Sequence, residues 1–425
     1  MKVIIIGGGW AGVSAALTAK KAGADVEIFE RTDMLLGLGN VGGIMRNNGR
    51  FTAAEEIIAM GAGELIDITD RNSRHVNIDF PGHNHASLYD VNKIEVDVRN
   101  FLEERDIKVS FTARVVDIEK QSNHIKGIYL EDESFHEADV FVEATGSTGP
   151  MGNCLKYGNG CAMCVLRCPT FGPRISISAK AGAEDYHGER EDGLFGAFSG
   201  SCKLAKDSLS EEVVSELNEK GVVILKVPPE DVNMDKLKIK VCQQYDLPEF
   251  AQNIVLLDTG NAKLMSSFYP LAKLRKIKGL EHAKYIDPYA GGKGNSIRYL
   301  SMAPRDDTMK VKGIDNLFVG GEKAGLFVGH TEAMVTGAVA GTNAVRQAIG
   351  QELLILPRET ASGDIIAYAN EKIETTEGRR NRYTFAGAGY FKHMQEAGLY
   401  TTDVKEIEDR IEKTGLKDVF KRKFI

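Results

Sequence analysis

Four cysteines lie close together in the chain, and their spacing is typical of metal ligation. They are Cys154, Cys161, Cys164 and Cys168, arranged as C-x6-C-x2-C-x3-C and followed by Pro169. A CxxC pair brings two thiolates onto one metal centre, and further cysteines nearby complete a tetrahedral ligand set. The end of the run is similar to the tail of the bacterial ferredoxin motif. We therefore expect these cysteines to bind a [4Fe–4S] cluster.

Other interpretations of this cysteine run stay open. Four cysteines are also a zinc ligand set, and a CxxC pair can be a redox dithiol. Cys202 could replace Cys154 as the fourth ligand; otherwise we expect Cys202 and Cys242 to be small core residues. We find no export signal and expect a cytoplasmic protein, where clustered thiols are more often metal or redox groups than disulfides.

Glycines near the start of the chain form a second chemical motif. Gly7, Gly9 and Gly12 match GxGxxG, and Glu30 follows at the usual distance. The first glycine permits a tight turn, the second lets the backbone approach a pyrophosphate, and the third lets a helix pack on a strand. The acidic residue can bind a ribose hydroxyl. This spacing predicts a dinucleotide site.

The elements that must position this motif are visible around it. A β-branched run at 3–6 predicts a buried strand, residues 13–22 predict a helix, and residues 26–30 predict a second strand ending in the acid. Such a helix directs its N-terminus at the phosphates. The strand-glycine-helix-strand order therefore supports a nucleotide-binding frame over an isolated glycine turn.

Two later segments favour FAD over NAD as the dinucleotide. Residues 138–146 predict a buried strand ending in Ala-Thr-Gly, and residues 313–322 predict another ending in Gly-Gly-Glu. A helix predicted over 333–347 follows His330, where backbone N–H groups could stabilise a reduced flavin ring. The residues that these patterns lead us to expect at the cofactor are Gly7, Gly9, Gly12, Glu30, Ala144, Thr145, Gly146, Gly321, Glu322, Gly329, His330 and Thr331. His330 is also the one weak candidate for a catalytic residue.

At these motifs the chain resembles flavoproteins with two dinucleotide-binding domains. Among them it is most similar to the glucose-inhibited division protein A family and its folate-dependent tRNA-uridine methyltransferase relatives. The resemblance rests on GGGWAG, NVGG, ATG and NLFVGGEKAG…GHTEAMVTGAVAGTNAV. It implies that Gly42, Gly43 and the turn at 320–322 lie along FAD, with residues 329–331 beside the isoalloxazine. Those relatives commonly carry a cysteine shortly before the Gly-Gly pair, whereas this chain has Leu-Gly-Leu-Gly at 36–39.

The order of elements predicts an α/β fold. We expect a Rossmann-like FAD domain of the two-dinucleotide-binding-domain type, formed by residues 1–150 and 290–350. It would be split by an inserted α+β domain at 151–289 and followed by a helical C-terminal segment at 351–425. Within the insert, residues 210–220 predict a helix, 222–227 a strand, and 235–253 a helix-rich stretch.

The composition and the net charge of the chain limit the classes of partner that we expect. The chain has 425 residues, 43% of them hydrophobic and 27% charged, which excludes general disorder. Its 53 basic and 60 acidic residues give a net charge of −7, so RNA is not favoured as a partner. The basic stretches at 273–278 and 421–423 are expected to be solvated faces, and residues 379–382 could equally bind an anionic substrate or a partner. No membrane segment is expected.

These observations predict an FAD-dependent oxidoreductase with a [4Fe–4S] cluster. The cluster would exchange single electrons between a ferredoxin-like carrier and the flavin, which would carry out two-electron chemistry on a small-molecule substrate. Two alternatives stay open. One is a folate- and FAD-dependent enzyme that modifies uridine in RNA, as the family resemblance implies. The other is a non-catalytic electron-transfer flavoprotein.

Overall fold

The computed structural model describes residues 1–146, 171–191, 193, 195, 197–198, 201–238, 242–266, 269–286, 297–298 and 300–425. The four clustered cysteines, Cys154, Cys161, Cys164 and Cys168, lie outside the described residues.

Nineteen strands and fourteen α-helices form in the described residues. The strands are β1 Lys2–Ile6, β2 Asp25–Phe29, β3 Ile44–Met45, β4 Ser73–Phe80, β5 His83–Tyr89, β6 Lys108–Ser110, β7 Val115–Gln121, β8 His124–Leu130, β9 Phe135–Glu137, β10 Val140–Glu143, β11 Tyr186–His187, β12 Ala197–Phe198, β13 Cys202–Leu204, β14 Val222–Lys226, β15 Asn253–Asp258, β16 Ala262–Leu264, β17 Ile297–Arg298, β18 Ser301–Met302 and β19 Leu317–Val319. The helices are α1 Trp10–Lys21, α2 Gly39–Gly42, α3 Gly49–Ala59, α4 Glu64–Arg71, α5 Ile94–Glu103, α6 Ile177–Ala181, α7 Glu211–Lys220, α8 Glu249–Gln252, α9 Leu271–Leu274, α10 His330–Ala348, α11 Ala361–Ile373, α12 Thr376–Arg380, α13 Ala388–Glu396 and α14 Val404–Lys413.

A five-stranded parallel sheet forms the centre of the molecule, in the order β19-β10-β1-β2-β6. Strand β1 lies in the middle, and its residues 3–6 are buried because both faces of a parallel sheet are covered. The carboxyl ends of β1, β2, β10 and β19 therefore meet at one edge. The predicted Rossmann-like α/β fold with a helical C-terminal region is confirmed.

Helices α1 and α10 pack closely on this sheet because small residues line their contact. A Cβ atom on Gly337 would lie 2.2 Å from the carbonyl oxygen of Ala11, and one on Gly341 would lie 2.1 Å from that of Ala15. The Ser14 hydroxyl donates to the Met334 carbonyl over 2.7 Å. This packing holds the N-termini of both helices at the same edge of the sheet.

The smaller sheets sit around this frame. Strands β3, β5 and β4 form one antiparallel sheet, β7, β8 and β9 form another, and β13, β16, β15 and β14 form a third. The third has its own apolar core, made of residues between 202 and 283. A separate cluster that includes Leu88 and Val255 packs this sheet against the β3-β5-β4 sheet.

Two local predictions need correction. The helix-rich stretch expected over 235–253 is wrong: its described residues contain only a 3₁₀ turn at Gln243–Tyr245 and the short α8 before β15 begins. Its apolar residues pack singly into the cluster with Leu88, so no continuous helical face is needed. Helix α1 begins at Trp10, three residues earlier than predicted, because extended Gly9 caps it directly.

Across the described ranges, no helix combines the length and apolar character needed to cross a membrane.

Candidate functional site

A cleft of about 310 Å³ opens where the carboxyl ends of the parallel strands meet. One side is formed by the residues that follow β1, β2, β10 and β19; we call it the dinucleotide wall. The other side is formed by Ser201, Cys242, Gln244, Tyr245, Lys263 and Met265; we call it the insert wall. Ligands of open α/β sheets bind at this edge, so the topology itself points to the cleft.

The glycine motif supplies the backbone of the dinucleotide wall. Gly7 has a φ of +102°, and a Cβ there would lie 2.5 Å from the Ala144 carbonyl oxygen. A Cβ on Gly12 would lie 1.9 Å from the Gly7 oxygen, so α1 packs directly on the turn. Gly9 has no atom within 4 Å of such a Cβ and lines the cleft. The first and third glycines are required by the fold, and the second leaves the cleft open.

Glu30 is held in place at the end of β2. Its carboxylate accepts hydrogen bonds from the Gly8 N–H at 2.8 Å and from the Thr32 N–H and hydroxyl, both at 2.8 Å. The side chain is nearly buried and lines the cleft. Hydrogen bonds from Gly8 in the glycine turn and from Thr32 therefore fix the orientation of the Glu30 carboxylate.

Arg174 lines the same wall and keeps donors for a ligand. Its Nε donates to the Thr145 hydroxyl over 2.9 Å, and its side chain is buried. Neither Nη1 nor Nη2 has a hydrogen-bond acceptor among the residues that the structure describes. Burial lowers the pKa of this guanidinium. A buried cation with unused donors beside the glycine turn fits an anionic ligand such as a pyrophosphate.

A buried ion cluster fixes the segment that carries Arg174. The Glu143 carboxylate accepts from the N–H groups of Ile177 and Ser178, each at 2.9 Å. Lys323 donates to the Asp185 carboxylate at 2.6 and 2.7 Å. Although burial opposes it, the Lys323 charge lowers the pKa of Asp185, which stays ionised. Segment 174–178 is thereby tied to the end of β10.

The N-terminus of α10 reaches the cleft where the two walls approach each other. His330 begins the helix, and its Nδ1 lies 3.4 Å from the Tyr89 hydroxyl. A Cβ on Gly42 would lie 1.9 Å from the His330 ring, so this position requires glycine. Trp10 packs against the same ring, with 5.7 Å between centroids. His330 is therefore in van der Waals contact with the loop that precedes β3.

A buried ion pair holds this helix end. Arg50 Nε lies 3.2 Å from the Glu332 carboxylate, which also accepts from the Thr384 hydroxyl at 2.7 Å and the Phe385 N–H at 2.9 Å. Burial opposes charge on Arg50, but Glu332 raises the pKa of the guanidinium. The C-terminal segment thus anchors α10 at the cleft.

The insert wall carries a thiol and an amine. Cys242 is partly exposed and lines the cleft, whereas Cys202 is fully buried in β13. The Lys263 amine donates to the Val41 carbonyl at 2.7 Å and is 2.8 Å from the Ser201 hydroxyl. Burial, and then the nearby charge of Lys203, lower the pKa of Lys263 to about 7.

A neutral histidine supports the segment before Tyr245. His83 Nε2 donates to the Gln244 carbonyl over 3.1 Å, and its Nδ1 accepts from Asn47 at 2.9 Å. Burial lowers the pKa of His83 to about 3, so the ring is neutral at physiological pH. The tautomer follows from these two partners.

The structure brings most of the predicted cofactor residues to this one cleft. Those that line it are Gly7, Gly9, Glu30, Gly42, Ala144, Thr145, Gly146, Gly321, Glu322, Gly329 and His330. Three others lie behind its surface: Gly12 packs on Gly7, Gly43 packs on Thr259, and Thr331 is buried in α10. Their contact with FAD stays a prediction.

Sequence reasoning missed the insert wall. Cys242 was expected in the core, and it does pack against the core while partly buried, but it also lines the cleft, which the sequence did not indicate. The only signal for Lys263 is its place between apolar residues in a short strand, and nothing in its spacing relates it to the glycine motif. Arg50 carries no motif at all.

Comparisons with known proteins agree with this arrangement. A family model described as Glucose inhibited division protein A matches residues 2–238 and 257–352. The structure of Aquifex aeolicus GidA superposes with a TM-score of 0.64 at 18% identity, over 97% of this chain and 76% of that one. This likeness supports the fold.

Curated relatives carry names that concern RNA. The tRNA uridine 5-carboxymethylaminomethyl modification enzyme MnmG of Alkaliphilus metalliredigens is 25% identical over 404 residues, covering 84% of this chain and 63% of the relative. The MnmG of Chlorobaculum tepidum is 35% identical over 116 residues, 27% of this chain and 18% of the relative. The methylenetetrahydrofolate--tRNA-(uracil-5-)-methyltransferase TrmFO of an Exiguobacterium species is 30% identical over 124 residues, 29% and 27%. The chain spans less than two thirds of the length of each of these relatives.

These findings correct two predictions. The iron–sulfur oxidoreductase is wrong, because the relatives are named for tRNA modification. The spacing of cysteines does not by itself determine which ligand they bind. The preference for a small-molecule substrate and a ferredoxin-like carrier over RNA is also wrong, because the names of the same relatives concern tRNA. Net charge describes the whole chain, while RNA binding depends on local surfaces.

Proposed function

The chain belongs to the glucose inhibited division protein A family of FAD flavoproteins, and from this premise we propose that it binds FAD in the cleft and modifies C5 of uracil in RNA. The observation that carries the proposal is the cleft itself, which joins a dinucleotide-type wall to a wall bearing a thiol and an amine. The names of the curated relatives supply the substrate class.

The dinucleotide wall fits FAD. Gly9 leaves open space over the N-terminus of α1, Glu30 faces the position of a ribose, and Arg174 offers unused guanidinium donors beside the glycine turn. The N-terminus of α10 also reaches the cleft, beside Trp10 at the start of α1, where it favours negative charge. FAD bound here would supply two-electron redox chemistry next to the insert wall.

The insert wall fits a base as substrate. We propose that the Cys242 thiolate adds to C6 of uracil, which makes C5 nucleophilic towards a one-carbon donor. A folate is the donor that the TrmFO name indicates.

A basic segment borders the insert wall and suits an RNA backbone. Gln243, next to Cys242, donates to the Arg380 carbonyl at 3.0 Å and accepts from the Arg382 N–H at 2.8 Å. Arg379 and Arg380 are carried on the same short helix, α12. Phosphates held there would place a flipped base near the cleft.

The division into domains is part of the proposal. Residues 1–150 and 290–350 would form the FAD domain, 151–289 the insert and 351–425 the C-terminal segment. Strands of the central sheet come from both parts of the FAD domain, which supports the split. The apolar core within 202–283 supports a separate insert.

Tritium release tests the function. FAD-loaded protein is incubated with tRNA transcripts carrying [5-³H]uridine, with and without methylenetetrahydrofolate. We expect tritium to be released into water only when the protein, FAD and the folate are all present. We also expect RNA binding that weakens steeply as the salt concentration rises. RNA that neither binds nor loses tritium would contradict the proposal.

The two described cysteines give a matched control. Cys242→Ser should reduce tritium release by about 100-fold or more, because the hydroxyl is a far weaker nucleophile. Cys202→Ser removes a thiol that is buried in β13 and does not line the cleft, and folded Cys202→Ser protein should stay within about fivefold of wild type. Equal losses of tritium release in both variants would contradict the role of the Cys242 thiol as the nucleophile.

A further inference from the structure

Lys263 is a lysine in the middle of a buried strand. It lies in β16 between Ala262 and Leu264, both almost fully buried, and is itself 5% exposed. Burying a charged amine there costs free energy of folding unless the group is paired with an opposite charge or becomes neutral. None of the ion pairs among the described residues includes it.

The contacts of the amine leave one position open. Two of its bonding directions go to the Val41 carbonyl at 2.7 Å and the Ser201 hydroxyl at 2.8 Å. The side chain lines the cleft, so the remaining direction is available to a ligand. In the neutral amine this third direction is the lone pair, which accepts a proton.

Burial and the charge of Lys203 keep part of the Lys263 amine neutral, against the opposite effect of two nearby thiols. Lys203 lies directly opposite on β13, in register with Lys263. The other titratable groups acting on it are the thiols of Cys202, on β13, and Cys242, before the 3₁₀ turn. Burial and the Lys203 charge lower the pKa of Lys263 to about 7, so both protonation states are populated near neutral pH.

The amine also lies at the junction of the two walls. Val41 precedes Gly42, which contacts His330 at the start of α10. The preceding residues 36–39 are where the family resemblance leads us to expect a cysteine and where this chain has none. The reactive group at this loop is thus an amine supplied by the insert.

Resting on the proposed function, we propose that Lys263 is the base that removes the proton from C5 of uracil. Attaching carbon at C5 leaves this position with both the new substituent and its original hydrogen. The C5–H electron pair then re-forms the C5=C6 double bond, the Cys242 sulfur leaves C6 as a thiolate, and the proton passes to Lys263 Nζ. The resulting ammonium returns the proton to solvent.

Substitution separates a base from a simple positive charge. Wild type, Lys263→Met, Lys263→Arg, Lys203→Met and the control Lys405→Met, at an exposed lysine of α14, are compared in single-turnover tritium release across pH 5.5–9.5. We expect both Lys263 variants to lose about 100-fold or more and to lose the inflection near pH 7, while their FAD content and RNA affinity stay unchanged. Lys405→Met should stay within a few-fold of wild type, and Lys203→Met should move the inflection to higher pH, because it removes the charge that lowers the pKa of Lys263. Full activity in Lys263→Arg would overturn the proposal, because arginine keeps the charge but does not deprotonate.

Competitive labelling tests the amine without relying on turnover. FAD-loaded protein is treated with trace acetic anhydride at a series of pH values, and acetylation of the Lys263 peptide is measured by mass spectrometry against exposed Lys405. We expect Lys263 to reach half its maximal reactivity near pH 7, well below Lys405. A midpoint above about pH 9 would overturn the proposal whatever the activity. Wild type that labels as expected but releases no tritium would instead refute the proposed function.

Discussion

The two walls of the cleft are built in different ways. The dinucleotide wall uses backbone and small residues at the ends of parallel strands, such as Gly7 and Gly12, whose positions tolerate no side chain. The insert wall uses side chains such as Cys242 and Lys263, delivered by a loop and by an antiparallel strand. The first wall leaves a strict pattern in the sequence because its constraint is steric. The insert wall leaves no such pattern, because its side chains reach the cleft only through packing between segments that are far apart in the sequence.

The largest effect should come from filling the glycine turn. Gly12→Ala places a methyl group 1.9 Å from the Gly7 oxygen, so we expect the unfolding free energy to fall by about 3 kcal/mol or more, with loss of FAD binding. The matched Gly9→Ala variant meets no atom within 4 Å, so its apo stability should change by less than about 1 kcal/mol. Its FAD affinity should still fall at least about tenfold. Denaturant unfolding and flavin fluorescence titration measure both, and equal stability losses would contradict the steric assignment.

Stability against pH should reveal the buried amine of the insert wall. The pKa of Lys263 is lowered from 10.5 to about 7 by burial and then by Lys203. Between these values the unfolded chain binds more protons than the folded one, so the unfolding free energy rises with pH. From pH 7 to 9.5, wild type should gain on the order of 3 kcal/mol relative to Lys263→Met. Urea unfolding of both FAD-free proteins checks this, and parallel pH profiles would show that the amine is not perturbed.

A smaller effect should separate two arginines of the dinucleotide wall. Arg174 has unused donors, whereas the Arg114 guanidinium already pairs with Glu131 at 2.7 Å. Arg174→Met should weaken FAD binding about tenfold with little loss of stability, because it removes a buried cation without a hydrogen-bonded carboxylate. Arg114→Met should change the affinity by less than about threefold. Fluorescence titration measures both affinities, and a larger loss in Arg114→Met than in Arg174→Met would contradict the assignment of Arg174 to the anion.

Prediction from sequence succeeded where a residue type is demanded by local geometry. The strand-glycine-helix frame and Glu30 lie where the motifs predict, although α10 begins at His330, three residues before the predicted start, and the family follows from the same motifs. It failed for function where weight was placed on cysteine spacing and net charge. It also failed for Cys242 and Arg50, because their roles depend on packing between segments far apart in the chain.

The sequence by itself therefore determined the parallel-sheet frame and the family, since close backbone approach permits only glycine at particular steps of the chain. The tertiary structure decided which side chains face that frame. Lys263 meets Val41, and Arg50 meets Glu332, across more than 200 intervening residues. The same contacts decide protonation, because the pKa of a buried amine depends on the groups that folding places around it.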